Sequence, residues 1–331
     1  MRRVVVRGAG GPEVLHLTEE ADPVPGRGQV RLRVEAAGVA FGDVMRRRGV
    51  LAPRGPFTPG YDVVGVIDAV GEGVDSGLRG VRVAAMMPRT GIGGYASHVL
   101  LKKGGWVPVP LGIEPVAAVA LGLNFITAWQ ILHRILRLQP GKRLLVHGAA
   151  GGVGTAALML AQLQGLEVYG TASAAKHPMV EKHGAIPIDY RSEDFVERIR
   201  EIGGVDGVLD PIGGEHLEQS WESLRGGGTL VAFGTSGGLT QGLWGAAVAL
   251  APWLRLRATF GSRKARLYMI GLSPVASAAR CREDWAELLA MHARGELVPE
   301  VGATLPLEEV REAHELMDRA AVMGKIVLTV G

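Results

Sequence analysis

The stretch that invites chemistry is LLVHGAAGGVGTAAL, residues 144–158. Gly148, Gly151 and Gly154 are spaced GxxGxxG behind a short apolar run and ahead of a small-residue helix. Glycines in that context let a backbone approach a pyrophosphate. The free N–H groups of the first helical turn, with the helix dipole, then favour negative charge. Gly148, Ala150, Gly151, Gly152, Val153 and Gly154 are therefore expected to cradle a dinucleotide. The competing reading is a tight strand–helix turn with no ligand. An NAD site usually carries an acid at the end of the next strand, about 20 residues on. The chain reads YGTASAAKH there. Gly170, Thr171 and Ala172 stand at the acid's place, and Ser173 and Lys176 supply a hydroxyl and a cation. That set suits a 2′-phosphate, so NADPH is the expected cofactor, with Tyr190 at the end of the third strand in reach. The plainer role for Lys176 is to solvate a helix start. Phe233, Gly234 and Thr235, ending the fifth strand, are expected to line the nicotinamide. His147, at the lip of the loop, is read as a packing residue.

These residues need a scaffold, and the sequence pattern supplies one. From about Leu121 onward, short apolar strands alternate with helices. LLVH, EVYGTAS, IPIDY, GVLD and TLVAFG are the strands, and the segments through Gln164, Lys176–His183, SEDFVERIREI and HLEQSWESL are the helices. Ser192 is the expected cap of the third helix. The alternation predicts an α/β domain with a doubly wound parallel sheet of Rossmann type. The first third is β-rich instead: VVVR (4–7), QVRLRVEAAGV (29–39), DVVGVIDAV (62–70) and VRVAAM (81–86), punctuated by Gly- and Pro-rich turns. Helices over 284–294 and 307–320 and a last strand, KIVLTV, close the chain. The expected partition is 1–121, 122–273 and 274–331, the last segment returning to the first domain.

The bulk properties exclude several classes. The chain has 331 residues, 47% hydrophobic and 21% charged, enough for two cores and too apolar for general disorder. A net charge of +3 gives no nucleic-acid footprint. The single cysteine, Cys281, excludes a disulfide framework and any zinc site built from several thiolates. No apolar run reads as a membrane span or signal peptide, so a cytoplasmic protein is expected.

With these motifs in order, the chain resembles the medium-chain dehydrogenase/reductase superfamily, and within it the zinc-free quinone oxidoreductase branch that includes zeta-crystallin and polyketide enoyl reductases. The segments that carry the resemblance include AAGVAFGDVMRRRG (36–49), TPGYDVVGVIDAVGEGV (58–74), LNFITAW (123–129), PGKRLLVHGAAGGVGTAA (140–157), VLDPIGG (208–214) and GKIVL (324–328). It covers essentially the whole chain. It implies a GroES-like β-rich catalytic domain beside the Rossmann domain, a substrate cleft between them, and a homodimer built through the strand LYMIG (267–271). Lys325 is carried over as a nucleotide contact.

The resemblance also places the zinc ligands of the metal-using relatives. They fall on Ala40, Tyr61 and Leu123, with Asp62 where those relatives have glutamate. No ligand set survives, so no metal is expected and Lewis-acid alcohol chemistry is disfavoured. The branch usually has asparagine at position 40 and a tyrosine in a GLYP-like segment. Ala40 and Leu51 replace them, which points to a more apolar pocket. Asp43, Tyr61, Asn124 and Thr127 are the candidate catalytic residues by position. Tyr61 serves either as proton donor or as a packing partner of the nicotinamide, Asp43 either in chemistry or in fixing a helix start.

The expected reaction is zinc-independent hydride transfer from NADPH to a quinone or α,β-unsaturated carbonyl. Enoyl-thioester reduction and low-turnover NADPH binding are the alternatives. The basic positions Arg255, Arg257, Arg263, Lys264 and Arg266 follow an apolar segment. They are read as a solvated loop or subunit contact, with a coenzyme A phosphate site as the rival.

Overall fold

The computed structural model describes residues 1–87, 92–234, 253–256 and 261–331. The chain divides into two units. One comprises Met1–Ile126 and Ser277–Gly331, the other Thr127–Ala276.

The first unit is built on β3 (Gln29–Val39), an eleven-residue strand. One of its edges pairs antiparallel with β4 (Asp62–Val70) along most of its length. Its other edge is shared: residues 29–33 take β6 (His98–Lys102), and residues 36–39 take β15 (Lys325–Thr329). Register shifts between Arg31 and Leu32 and between Val34 and Ala36 bend the strand where the partner changes. The sheet runs on through β5 (Arg82–Met86) and β7 (Val107–Pro108) at one side and β14 (Val301–Pro306) at the other. A two-stranded pair, β1 (Arg2–Val6) and β2 (Leu15–Glu19), forms its own ladder, bridged to Phe57 and Ala96 and sharing the same core. Alternate residues of β3, Val30, Leu32 and Val34, are buried with Ile67, Val83, Leu305 and Leu328. Helix α1 (Phe41–Arg47) follows β3 directly, and α2 (Pro115–Ala120) and α3 (Leu123–Trp129) lead out of the first long segment.

The second unit holds a six-stranded, wholly parallel sheet: β8 (Arg143–His147), β9 (Glu167–Ala172), β10 (Ile186–Asp189), β11 (Val205–Asp210), β12 (Leu224–Ala232) and β13 (Lys264–Leu267). The spatial order is β10-β9-β8-β11-β12-β13. That is the doubly wound order in which the strand sequence reverses between the first and fourth strands, the point where such sheets bind ligands. The crossovers are α4 (Gly152–Leu163), α5 (His177–Lys182), α6 (Phe195–Glu201) and α7 (His216–Glu222). The strands are short, apolar and buried on both faces, as in Leu144–Leu145–Val146.

Three local expectations need correction. The cap of α6 is Asp194, whose carboxylate accepts from Val196 N at 2.8 Å; the Ser192 hydroxyl instead donates to Asp189. Helix α8 (Ala278–Ala293) starts well before residue 284, because Ser277 caps it by accepting from Arg280 N. The last ladder of the parallel sheet covers Lys264–Leu267, so most of LYMIG lies beyond it. Helix α9 (Val310–Asp318), preceded by a turn of 3₁₀ helix, packs against α1 near the C-terminus.

Candidate functional site

The glycine loop sits where the sequence placed it, between β8 and α4. Gly148 has φ +62°, a conformation that disfavours a side chain. Gly154 is fixed by contact instead. A Cβ there would lie 2.2 Å from Gly148 O and 2.6 Å from Ala149 O, so α4 packs onto the loop only because that atom is missing. Gly151 is the N-cap and contributes no side-chain cap, which leaves the first-turn N–H groups of Gly152, Val153 and Gly154 to an external acceptor. Gly170 on β9 lets Ala149 approach, since a Cβ would meet Ala149 Cβ at 2.8 Å. At the far side, Gly234 lies against Pro211 O, 2.6 Å from where its Cβ would be. The cradle thus fits a pyrophosphate. Gly154→Ala is expected to destabilise the second unit by about 2–3 kcal/mol through overpacking and to abolish dinucleotide binding. Calorimetry with and without nucleotide checks both.

The ends of β9 and β10 are more basic than the sequence suggested. Register in the β9–β10 pair matches Ala172 with Asp189, so the residues after each strand emerge side by side. Ser173 and Lys176, both half-buried, leave one strand; Tyr190 and Arg191, both exposed, leave the other. Burial lowers the Lys176 pKa, and the Arg191 charge lowers it further. Two cations that repel one another are thus held together, the arrangement expected where an anion is to be bound. The guanidinium of Arg191 also lies 5.8 Å from the Tyr190 ring centroid. Arg191 escaped the sequence reading, although it adjoins Tyr190. Thr171, expected to touch nucleotide, is 3% exposed and its hydroxyl bonds His147 Nδ1 at 3.0 Å. Thr235 lies outside the described residues; Phe233 precedes Gly234 at the end of β12.

In the first unit, two buried aspartates tie together the three positions singled out as vacant zinc-ligand sites. Asp43 accepts from Ala40 N at 3.1 Å, Gly60 N at 2.8 Å and the Tyr95 hydroxyl at 3.1 Å. It thereby joins the start of α1 to the turn before Tyr61. Burial pushes its carboxyl up to about 6, against the pull of the Gly60 and Ala40 N–H groups. With no exposed surface and three donors on it, Asp43 holds backbone in place. Asp62 accepts from Leu123 N at 2.9 Å and pairs with Lys325 Nζ at 3.3 Å. Gly38 makes room for that pair, as a Cβ would fall 2.4 Å from Asp62 Oδ1 and 2.6 Å from Lys325 Nζ. Lys325 is therefore turned inward on Asp62, which is not the direct nucleotide contact expected of it.

Ala40 and Leu123 are both buried hydrocarbon and carry no donor atom. Tyr61 is the polar exception. Its hydroxyl and ring lie over Gly42, where a Cβ would come within 2.5 Å of the oxygen, and Arg46 stacks 4.5 Å from the ring centroid. Burial, with the Asp43 charge behind it, pushes the Tyr61 hydroxyl up to about 12. It keeps its proton at neutral pH. Asn124 and Thr127, both buried, stand three residues apart on α3 and so share a helix face. Of the basic segment, Arg255 pairs with Glu218 at 3.9 Å, while Lys264 and Arg266 flank buried Ala265 on the exposed side of β13. Arg257 lies outside the described residues.

The comparisons agree with this construction. Residues 26–111 match the alcohol dehydrogenase GroES-like domain and residues 184–328 the zinc-binding dehydrogenase family. The synaptic vesicle membrane protein VAT-1 homolog of Homo sapiens is 34% identical over all of this chain and 87% of its own. The 2-haloacrylate reductase of a Burkholderia species is 32% identical, covering 98% of this chain and 97% of its own. The crystal structure of Escherichia coli quinone oxidoreductase complexed with NADPH superposes with a TM-score of 0.89 at 28% identity, covering 99% of this chain and all of that one. The chain belongs to the medium-chain dehydrogenase/reductase superfamily, alongside its quinone oxidoreductases and VAT-1 homologues, and it is an oxidoreductase by that membership. Among the described residues, no helix is long and apolar enough to cross a membrane.

Proposed function

We propose that the chain is an NADPH-dependent, zinc-independent reductase of quinones and α,β-unsaturated carbonyl compounds. The observation that carries this reading is the donor-poor set at Ala40 and Leu123, held beside Tyr61 by Asp43 and Asp62. Without ligands for a Lewis acid at those positions, the acceptor must itself be electron-poor. Quinones and enones meet that need, because conjugation spreads the arriving charge. The names of two relatives, a quinone oxidoreductase and a haloacrylate reductase, fit the same substrate class.

The roles follow from the placements. Gly148–Gly154 take the pyrophosphate; Ser173, Lys176, Tyr190 and Arg191 take the 2′-phosphate. Phe233 and Gly234 border the nicotinamide, which when bound supplies a hydride. Tyr61 holds a proton at its hydroxyl for the reduced acceptor. Asn124 and Thr127 orient the acceptor oxygen. Asp43 and Asp62 hold the backbone at Ala40, Gly60 and Leu123 around Tyr61. Lys325 and Thr171 are committed to Asp62 and His147 and are assigned no direct nucleotide contact. A second copy pairs on the outer edge of β13, beyond which no strand lies among the described residues; the like charges of Lys264 and Arg266 keep that edge from unspecific association.

The test mixes the protein and NADPH with a 1,4-quinone, a simple enone, an enoyl-CoA and an unconjugated aldehyde, following nicotinamide absorbance. Turnover is expected with the quinone and the enone, none with the aldehyde, and no loss after treatment with a chelator. A rate confined to the thioester would replace this reading with enoyl-thioester reduction. Tight NADPH binding with no turnover on any acceptor would leave a binding protein, and loss on chelation would overturn zinc independence.

A further inference from the structure

Beneath the glycine loop lies a buried polar chain that the proposed reaction does not use. It joins Thr171 at the end of β9, His147 at the end of β8, Asp210 at the end of β11, and His216 and Ser220 on α7. The distances fix its direction. Asp210 Oδ2 has Ser220 Oγ at 2.6 Å and His216 Nδ1 at 2.8 Å. A carboxylate only accepts, so the Ser220 hydroxyl donates to Asp210. Ser220 Oγ then accepts from His147 Nε2 at 3.2 Å. With its proton on Nε2, His147 accepts at Nδ1 from the Thr171 hydroxyl. The other oxygen of Asp210 accepts from Ile212 N at 2.7 Å and Gly213 N at 2.9 Å.

His147, Asp210 and His216 would suit a transition metal by residue type. Their lone pairs are spent otherwise: the His147 Nε2 proton points inward, and the Ser220 hydroxyl fills the centre between the three side chains. The chain is a clasp. Its ends reach the cradle at three places. His147 immediately precedes Gly148. Thr171 O accepts from Ala149 N at 3.1 Å, so β9 grips the loop from the same residue that grips His147. Asp210 O accepts from Phe233 N at 2.9 Å, and Pro211 next to it stands beside both glycines: a Cβ on Gly148 would lie 3.6 Å from its Cγ and one on Gly234 2.6 Å from its oxygen.

We propose that Asp210 and Ser220 are positioning residues that, through His147 and Pro211, set the spacing between the phosphate loop and the turn at Phe233–Gly234. The inference rests on the reading of Gly148–Gly154 as a pyrophosphate cradle. Because the pyrophosphate is common to both nicotinamide dinucleotides, the clasp acts on NADPH and NADH alike.

The test measures dissociation constants for both dinucleotides, well below the unfolding midpoint, in wild type, Ser220→Ala, Ser220→Thr and Asp210→Asn. Ser220→Ala and Asp210→Asn are expected to weaken NADPH and NADH equally, by about tenfold, the scale of one buried hydrogen bond. The rate at saturating NADPH should change less than about twofold, and Ser220→Thr, which keeps the hydroxyl, should restore binding. A purely structural role would lower the midpoint and leave both constants of the folded protein unchanged, which would overturn the proposal; so would a loss confined to NADPH. Asp210→Asn serves as the independent arm should Ser220→Thr fail to fold. Wild type that binds neither dinucleotide would instead overturn the cradle.

Discussion

Replacing Lys176 and Arg191 together by alanine is expected to weaken NADPH binding by roughly two to three orders of magnitude while changing NADH binding less than threefold. A hydrogen bond to a charged group contributes about 1.5–3 kcal/mol, and two such contacts meet on one phosphate. The lower part of that range applies because Arg191 is exposed and solvent screens it. Neither residue belongs to the glycine loop, so the pyrophosphate contacts are expected to survive. The single variants separate the two. Lys176 is half-buried and its pKa is already lowered by burial and by Arg191, so Lys176→Ala should cost more than Arg191→Ala. Removing either cation also relieves repulsion on the other, so each single loss understates its contact and the double loss should exceed the product of the singles. Fluorescence titration of both nucleotides reads the result. Equal losses for NADPH and NADH would refute the 2′-phosphate assignment and point to a fault in the loop.

Arg191 shows what a linear reading finds and what it leaves out. The strand–helix alternation from residue 144 on is a local pattern, and the apolar strands and glycine turns that carry it are local too. The parallel sheet and the loop were legible for that reason. The pairing of Lys176 with Arg191 is made by β9–β10 register, fifteen residues away in sequence, and no propensity encodes it. Asp210 and His147 are brought together in the same way, since the β8–β11 register sets Val146 opposite Leu209. His147 reads as a packing residue; it is buried, and its bonds to Thr171 and Ser220 were invisible in the linear pattern. In the β-rich unit the strands Gln29–Val39 and Asp62–Val70 were legible to the residue. The branching of β3 between β6 and β15 was not, because the register shifts at Arg31–Leu32 and Val34–Ala36 fall where β3 itself carries no Gly or Pro. Asp43 reads either in chemistry or in fixing a helix start, and Asp62 only as standing where metal-using relatives have glutamate. Their partners, Tyr95 and Lys325, come from distant parts of the chain.

The two units are expected to respond differently to acid, and the difference follows from three buried groups. In the second unit, burial holds the His147 pKa at about 3, against an ordinary value of 6.5. The folded unit therefore refuses a proton that the unfolded chain accepts. Stability from a histidine lowered in this way is complete above pH 6.5 and is lost as pH falls toward 3. The slope is about 1.4 kcal/mol per pH unit for one proton. In the first unit His314 behaves alike, with its pKa held at about 3 by burial and by the Arg47 charge. Asp43 opposes it: its pKa is raised from 3.8 to about 6, so the folded unit takes up a proton there that the unfolded chain does not. Between about pH 6 and 5 these two contributions cancel. The window also lies above the range in which Asp210, whose pKa is lowered, begins to matter. Calorimetry from pH 6.5 to 5 should thus show the transition of the nucleotide unit falling by about 4–8 °C, for a loss of roughly 2 kcal/mol, with the other transition nearly fixed. Asp43→Asn removes the opposing proton and should make the first unit acid-labile as well. A nucleotide-unit transition that stays fixed over this range would show that His147 titrates normally, and the hydrogen-bond directions drawn through it would fall with that result; a parallel fall of both transitions would remove the opposing role of Asp43.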